Sequence, residues 1–134
     1  MIRKTFIFVL FSIIIISCDK DKKVTDKLDG VWSIDKKTYT DPGTVYEPAG
    51  TFTFHDCVQD SCSGILVNEN EITVEFDWYV TALGTTITIT SKDANGFLVK
   101  GIYTIESIKK EKLKMSYEQL GQPISFEMTR IADV

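Results

Sequence analysis

The segment that decides the fold is ITVEFDWYV, residues 72–80, in which apolar and polar side chains alternate. Its even positions, from Ile72 to Val80, are all apolar, and most of the residues between them are polar. Successive side chains of a strand point to opposite faces, so this pattern predicts a strand with one buried face. An amphipathic helix would place its apolar residues three and four positions apart, which this segment does not do.

Seven further segments alternate in the same way and extend this prediction along the chain. Short stretches of turn residues separate them, such as DPG at 41–43 and DANG at 93–96. Connections this short join antiparallel neighbours, and no segment resembles a crossover helix, so a parallel sheet is excluded. The predicted strands are residues 31–40, 51–55, 63–68, 72–80, 85–91, 97–105, 111–118 and 124–131.

Eight short antiparallel strands with one apolar face either close into a barrel or fold into two stacked sheets. Closure removes the exposed edges, so we expect an all-β fold, a single antiparallel up-and-down β-barrel of about eight strands. Gly101, inside a predicted strand, fits a sharply bent corner of such a barrel or a bulge. An eight-stranded barrel is filled by side chains or holds one small ligand, and the large aromatic residues favour a filled or narrow interior.

The N-terminal residues 6–16, FIFVLFSIIII, form an apolar block that follows Arg3 and Lys4. As a helix, eleven residues span roughly 16 Å, whereas the hydrocarbon core of a bilayer is about 30 Å thick. The block therefore predicts a signal peptide and not a membrane-spanning helix. The rest of the chain is more acidic than the total net charge of −4, which argues against a nucleic-acid-binding protein.

The end of this block, IISC at residues 15–18, resembles the bacterial lipobox, in which an aliphatic and a small residue precede a cysteine. The resemblance implies cleavage before Cys18, a diacylglyceryl group on its thiol and a further acyl chain, such as palmitate, on the new amine. Several acyl chains anchor a protein durably, because each buried CH₂ contributes about 0.8 kcal/mol. The alternative is an ordinary secretory signal. The expected location is the cell membrane or the outer membrane, facing the periplasm or the cell surface.

The chain thus divides into a lipoprotein signal peptide (1–17), a lipidated cysteine with a flexible tether (18–27) and a barrel domain (28–134). The tether follows Cys18 as DKDKKVTDK, which is charged and poor in apolar residues. We expect such a sequence to stay unpacked. The length of 134 residues is that of one domain.

The sequence LDGVW at residues 28–32 is similar to the Gly-x-Trp signature of lipocalins and of bacterial lipocalin-like lipoproteins. The resemblance implies a lipocalin-like barrel in which Trp32 plugs the closed end and an arginine of the last strand crosses its ring. Arg130 shares parity with Phe126 and Met128 and is expected to point inward onto Trp32. The alternative is an exposed arginine at a fraying strand end.

The same resemblance implies non-catalytic binding of a small apolar ligand. Inward parity makes aromatic residues of the predicted strands the candidates for its lining, namely Phe54, Phe76, Trp78 and Tyr103. The expected partners are the membrane, through the lipid anchor, and a small hydrophobic ligand or an envelope protein.

The most unusual segment is DCVQDSC at residues 56–62. Cysteines that face each other in an antiparallel hairpin lie near the separation that a disulfide prefers, and export leads to an oxidising compartment. A Cys57–Cys62 disulfide is therefore expected. A zinc site with His55 and Asp60 and a reactive thiol pair are the alternatives. A rigid turn that carries Asp56 and Asp60 favours a second function, docking of a basic envelope partner.

Other polar residues carry weaker hypotheses. Glu75 and Asp77 share a strand face, which suggests paired-carboxylate chemistry or merely a solvated surface. The run KKEK at 109–112 is a solvated turn or a contact for anionic headgroups, and His55 is expected at the surface. No nucleophile elbow, phosphate-binding loop or HExxH motif occurs in the sequence. We therefore expect no enzyme, no catalytic residue, no metal ion and no cofactor.

Overall fold

The structure, a computed structural model, describes residues 20–41, 43–58 and 61–133. The predicted signal peptide and Cys18 lie outside these residues. Residues 20–28 form a helix, α1, and Gly96–Leu98 form a 3-10 helix. The strands are β1 Gly30–Tyr39, β2 Val45–Tyr46, β3 Thr51–Phe54, β4 Ser63–Val67, β5 Thr73–Thr81, β6 Thr86–Thr90, β7 Gly101–Lys109, β8 Lys112–Gln119 and β9 Gln122–Ala132.

Eight of the strands close into a barrel in which neighbours along the chain are neighbours in space. The order runs from β1 through β3 to β9, and β9 pairs with β1 to complete the ring. All pairs are antiparallel, which confirms the predicted up-and-down barrel. The short β2 pairs with the second half of β1 and was not predicted, because two residues are too few to show alternation.

The alternation in β5 has the predicted burial. Val74, Phe76 and Trp78 are buried, and the intervening Glu75 and Asp77 are exposed. The inward side chains of all eight barrel strands meet in one core. Burying these apolar surfaces stabilises the fold by about 25 cal/mol per Å² removed from water.

One predicted strand begins later than expected. Residues 97–105 were predicted to be extended, but Gly96–Leu98 form the 3-10 helix and Phe97 is 62% exposed. The reason is a side-chain interaction that alternation does not reveal: the Asp93 carboxylate accepts hydrogen bonds from the Glu75 and Asn95 N–H groups. These bonds lower the pKa of Asp93 and hold the chain in a turn before β7. Gly101 is the first residue of β7, and the Tyr117 ring packs where its Cβ would be.

The second correction concerns the expected tether, because residues 20–28 are helical. Asp21 Oδ1 accepts a hydrogen bond of 2.7 Å from Gly84 N in the β5–β6 turn, and Val24 packs against the core. Leu28 is fully buried. An apolar residue every fourth position, at 24 and 28, is sufficient to dock a short charged helix on a barrel.

The two ends of the barrel differ. Helix α1, the β3–β4 connection, the β5–β6 turn and the β7–β8 turn lie at one end, which we term the capped end. The β4–β5 turn (68–72), the β6–β7 connection (91–100) and the β8–β9 turn lie at the opposite end, which we term the mouth.

Candidate ligand site

The four predicted ligand-lining residues all lie inside the barrel and are at most 3% exposed. The Phe54 ring centroid is 5.1 Å from that of Trp78 and 5.7 Å from that of Phe76. Phe52 lies between them and Tyr103, with a centroid separation of 6.2 Å from Tyr103. Such separations are those of direct aromatic contact, so these rings pack as a continuous core. Their role in binding a ligand stays a prediction.

Two stacked tyrosines form the part of this core nearest the mouth. Tyr103 and Tyr117 have ring centroids 4.1 Å apart, and the Tyr103 hydroxyl donates to the Val99 carbonyl at 2.6 Å. Burial raises the pKa of Tyr103, and it raises the pKa of Tyr117 to about 12, with Tyr39 and Glu69 adding to the Tyr117 shift. Both phenols therefore stay neutral hydrogen-bond donors at physiological pH.

The mouth also holds a buried ion pair that the sequence analysis missed. Lys37 Nζ lies 3.2 and 3.3 Å from the two carboxylate oxygens of Glu69, and the side chains are 8% and 10% exposed. The Lys37 ammonium also lies 5.1 Å from the Tyr39 ring centroid and 5.7 Å from that of Phe126. These distances are within the range of cation–π attraction. The pair places one positive and one negative charge inside the aromatic end of the barrel.

A β-bulge explains why Lys37 points inward. The pairing of β1 with β9 shifts register between Ile34 and Lys36, so parity changes after Ile34. Strict alternation from Trp32 and Ile34 would have turned Lys36 inward instead. Because both positions are lysines, hydropathy alone does not reveal the change, although Tyr39 is in phase with Lys37.

At the capped end, Arg130 lies over the ring of Trp32, with Cζ 4.5 Å from the ring centroid. Its guanidinium donates to the carbonyls of Lys27 and Asp29, and the Trp32 indole donates to the Leu28 carbonyl at 2.8 Å. The carbonyls at the end of a helix lack partners within the helix. Arg130 and Trp32 supply those partners and so attach α1 to the barrel.

Asp29, beside this pair, lies in an environment that disfavours the ionised form of its carboxyl group. Burial, followed by the neighbouring Asp56 carboxylate, raises the pKa of Asp29 from 3.8 to about 6, and Arg130 opposes the shift. Asp29 Oδ1 is buried and has no hydrogen-bond partner among the described residues. The capped end therefore carries a carboxyl group that gains from protonation.

The predicted Cys57–Cys62 disulfide is confirmed, with a Cα–Cα separation of 4.1 Å. It borders a cleft of about 680 Å³ between the β3–β4 connection, α1 and β5. Three carboxylates and two aromatic residues line the cleft, namely Asp26, Asp29, Asp56, Trp78 and Tyr79. Since both sulfurs are bonded to each other, neither thiol is free for zinc or redox chemistry in this state.

The remaining candidates lie on the surface. Glu75 and Asp77 point outward, and with His55 they line a shallow cleft of about 600 Å³. Within the described residues, no three or more His, Cys, Asp or Glu side chains are grouped so as to hold a metal ion. Over the same residues, no helix has the length and apolarity needed to cross a membrane.

Comparison with solved structures identifies similar barrels. A lipocalin-like protein from Bacteroides uniformis superposes with a TM-score of 0.54 at 18% identity, over 78% of this chain and 99% of that one. An uncharacterized protein from Bacteroides eggerthii gives a TM-score of 0.52 at 16% identity, with the same shares of the two chains. No family model and no curated protein matches the sequence. The chain thus has a lipocalin-like fold, a closed eight-stranded antiparallel barrel with one additional short strand.

Proposed function

We propose that this protein is a lipid-anchored protein of the bacterial cell envelope whose barrel binds a small apolar ligand without catalysis. The observation that carries the proposal is the difference between the two barrel ends. Helix α1 and the Trp32–Arg130 pair close one end, whereas the part of the core nearest the mouth consists of the stacked rings of Tyr103 and Tyr117. Lipocalin-like barrels offer this kind of one-ended interior for a ligand.

The ligand is expected to contact Tyr103 first among the four predicted lining residues. Tyr103 lies on β7 near the mouth, whereas Phe54 and Trp78 lie toward the capped end. Because the rings already contact one another, a ligand has to rest on the tyrosine pair or separate it from Phe126. A small or flat apolar molecule requires less separation of these rings than a long chain does.

The proposal is tested by titrating the full chain in lipid nanodiscs with N-phenyl-1-naphthylamine, an uncharged fluorescent probe. We expect saturable fluorescence that the Tyr103→Leu variant weakens and the Tyr79→Leu variant leaves unchanged. Tyr79 is the matched control, because its ring is 50% exposed on the outside of the barrel. Non-saturable fluorescence, or equal loss in both variants, would contradict binding inside the barrel.

The lipid anchor has a separate test. Mass spectrometry of the membrane-extracted protein should find an N-terminus at Cys18 that carries the mass of a diacylglyceryl group and of a further acyl chain. A Cys18→Ala variant should leave the membrane fraction. An exported protein that starts elsewhere, or carries an unmodified Cys18, would contradict this part of the proposal.

The acidic cleft favours a second candidate function, which is docking of a basic envelope protein. Asp26 and Asp56 line the cleft together with Trp78, and the Cys57–Cys62 disulfide beside it fixes the two cysteines at a Cα–Cα separation of 4.1 Å. Aromatic edges surrounded by charge are typical of protein interfaces. We expect a basic protein such as a lysozyme to bind and the Asp26→Asn/Asp56→Asn variant to lose that binding. Binding that ignores both the substitutions and reduction of the disulfide would contradict this function.

A further inference from the structure

The Lys37–Glu69 pair in the mouth has no part in a site for a purely apolar ligand. Burying two charges carries a large desolvation cost that their attraction has to offset, and replacing such a pair by apolar residues often leaves a protein as stable. Both carboxylate oxygens of Glu69 lie within 3.3 Å of Lys37 Nζ. The ammonium is further held between the rings of Tyr39 and Phe126. Lys37 thus binds one carboxylate, that of Glu69, within the aromatic end of the barrel interior.

The two partners differ in how firmly they are fixed. Lys37 belongs to β1, which pairs with β2 on one side and β9 on the other. Glu69 belongs to the β4–β5 turn, which is held by hydrogen bonds from the Asn70 and Ile72 N–H groups to Asn68 Oδ1. None of these turn bonds involves the Glu69 side chain. The carboxylate is therefore able to leave Lys37 by a rotamer change while the turn keeps its conformation.

We propose that the mouth is a binding site for an organic anion with an aromatic or apolar body, and that Glu69 occupies it as an internal ligand. The incoming carboxylate or sulfonate replaces the Glu69 carboxylate on Lys37, and its apolar body packs on the Tyr103–Tyr117 pair. This inference rests on the proposed function, because it assigns the chemical class of the ligand that enters the mouth. Occupancy by Glu69 lowers the apparent affinity, since a ligand binds only the fraction of molecules whose site is free.

The test uses two probes that differ by one sulfonate group, 8-anilinonaphthalene-1-sulfonate and the uncharged N-phenyl-1-naphthylamine. Both are titrated against the full chain in nanodiscs, in the original form and as the Glu69→Gln variant. Glu127→Gln is the matched control, because Glu127 forms a surface ion pair of 3.6 Å with Lys114, and both side chains are about half exposed. The control removes the same charge without touching the mouth.

We expect Glu69→Gln to tighten binding of the sulfonate probe about tenfold, as for a site freed of its occupant, with little change for the uncharged probe. Glu127→Gln should change neither affinity by more than about twofold, since exposed pairs are weak and screened. Adding Lys37→Met to Glu69→Gln should abolish the gain. Circular dichroism shows whether Glu69→Gln folds. If it does not, the Glu69→Asp variant is used instead. Its shorter side chain should release Lys37 in part and so increase the affinity for the sulfonate probe by a smaller factor.

Two outcomes separate this inference from the proposed function. If the uncharged probe binds in the barrel and the sulfonate probe gains nothing from Glu69→Gln, the anion site is wrong and apolar binding stands. If neither probe binds any variant, both proposals are wrong. An equal gain in Glu127→Gln would attribute the effect to net charge and would also overturn the anion site.

Discussion

Arg130 lies over the ring of Trp32, and together these side chains bind the three consecutive carbonyls of Lys27, Leu28 and Asp29. Arg130 comes from the last strand and Trp32 from the first, where they are cross-strand partners. The pair therefore joins the barrel's closing seam to the end of helix α1. Glycine is the only residue type that fits at position 30. The backbone φ there is 143°, and a Cβ would collide with Arg130 Nη1.

Replacing Arg130 should loosen this junction. We expect Arg130→Ala to lower the free energy of unfolding by about 2–3 kcal/mol, because two helix-end carbonyls lose their partners and Trp32 loses its cation. Arg130→Lys should recover only part, since an ammonium does not reproduce the planar fork of donors. Urea unfolding followed by tryptophan fluorescence measures the free energy of unfolding of both variants. An Arg130→Ala variant as stable as the original would show that water replaces the guanidinium without cost.

The barrel could be predicted from the sequence because alternation is a property of single strands. The pattern of Val74, Phe76 and Trp78 shows which face is buried, and short turns leave only antiparallel pairing. The predicted disulfide followed from spacing and compartment alone. These features depend on residues that lie close together in the chain.

The parts that were missed depend on residues far apart. The bulge that turns Lys37 inward is set by pairing with β9, and its partner Glu69 is 32 positions away. Helix α1 is held by Gly84, which lies 63 positions from Asp21. The strand predicted at 97–105 begins only at Gly101, because the Asp93 carboxylate accepts a hydrogen bond from Glu75 N, 18 positions earlier, and holds the chain in a turn. Local patterns contain none of these contacts.

Removing the disulfide should weaken the fold without abolishing it. The Cys57→Ser/Cys62→Ser variant should lose about 2 kcal/mol of stability, because the short loop regains conformational entropy in the unfolded chain. Guanidinium unfolding monitored by circular dichroism measures the loss, and the original protein reduced with dithiothreitol should behave alike. Different results for the variant and the reduced protein would mean that the serines, and not the open loop, cause the change.

Asp29 should make stability depend on pH. Its folded-state pKa of about 6 exceeds the ordinary value of 3.8, so the folded protein binds the proton more tightly than the unfolded chain. The resulting stabilisation is complete below about pH 4 and is lost as the pH rises through about 6. We expect Asp29→Asn to be more stable than the original protein at pH 7 and to lose this advantage at pH 4, in urea unfolding at both values. Asp56→Asn should shift the loss to lower pH, because without the neighbouring carboxylate the folded-state pKa of Asp29 falls. If Asp29→Asn is less stable at pH 7, attraction to Arg130 outweighs burial.

The Lys37–Glu69 pair should show strong coupling in stability as well as in binding. Lys37→Met alone should cost up to about 3 kcal/mol, the loss for a buried carboxylate left without a partner, and less to the extent that the Glu69 carboxylate turns to solvent. The Lys37→Met/Glu69→Leu variant should recover most of this loss, since both charges are then gone. A double-mutant cycle in urea measures the coupling. Additive effects of the two substitutions would mean that Glu69 turns to solvent when Lys37 is absent.

The docking of helix α1 determines how the barrel would sit on a bilayer. Cys18 precedes residue 20, where the described helix begins, by two positions, and two residues reach at most about 7 Å. With acyl chains on Cys18, as proposed, the lipid anchor would be within that reach of the described start of helix α1, which docks at the capped end. The mouth, at the opposite end of the barrel, then points away from the bilayer. A ligand of the proposed kind would then reach the barrel from solution and not from among the lipids.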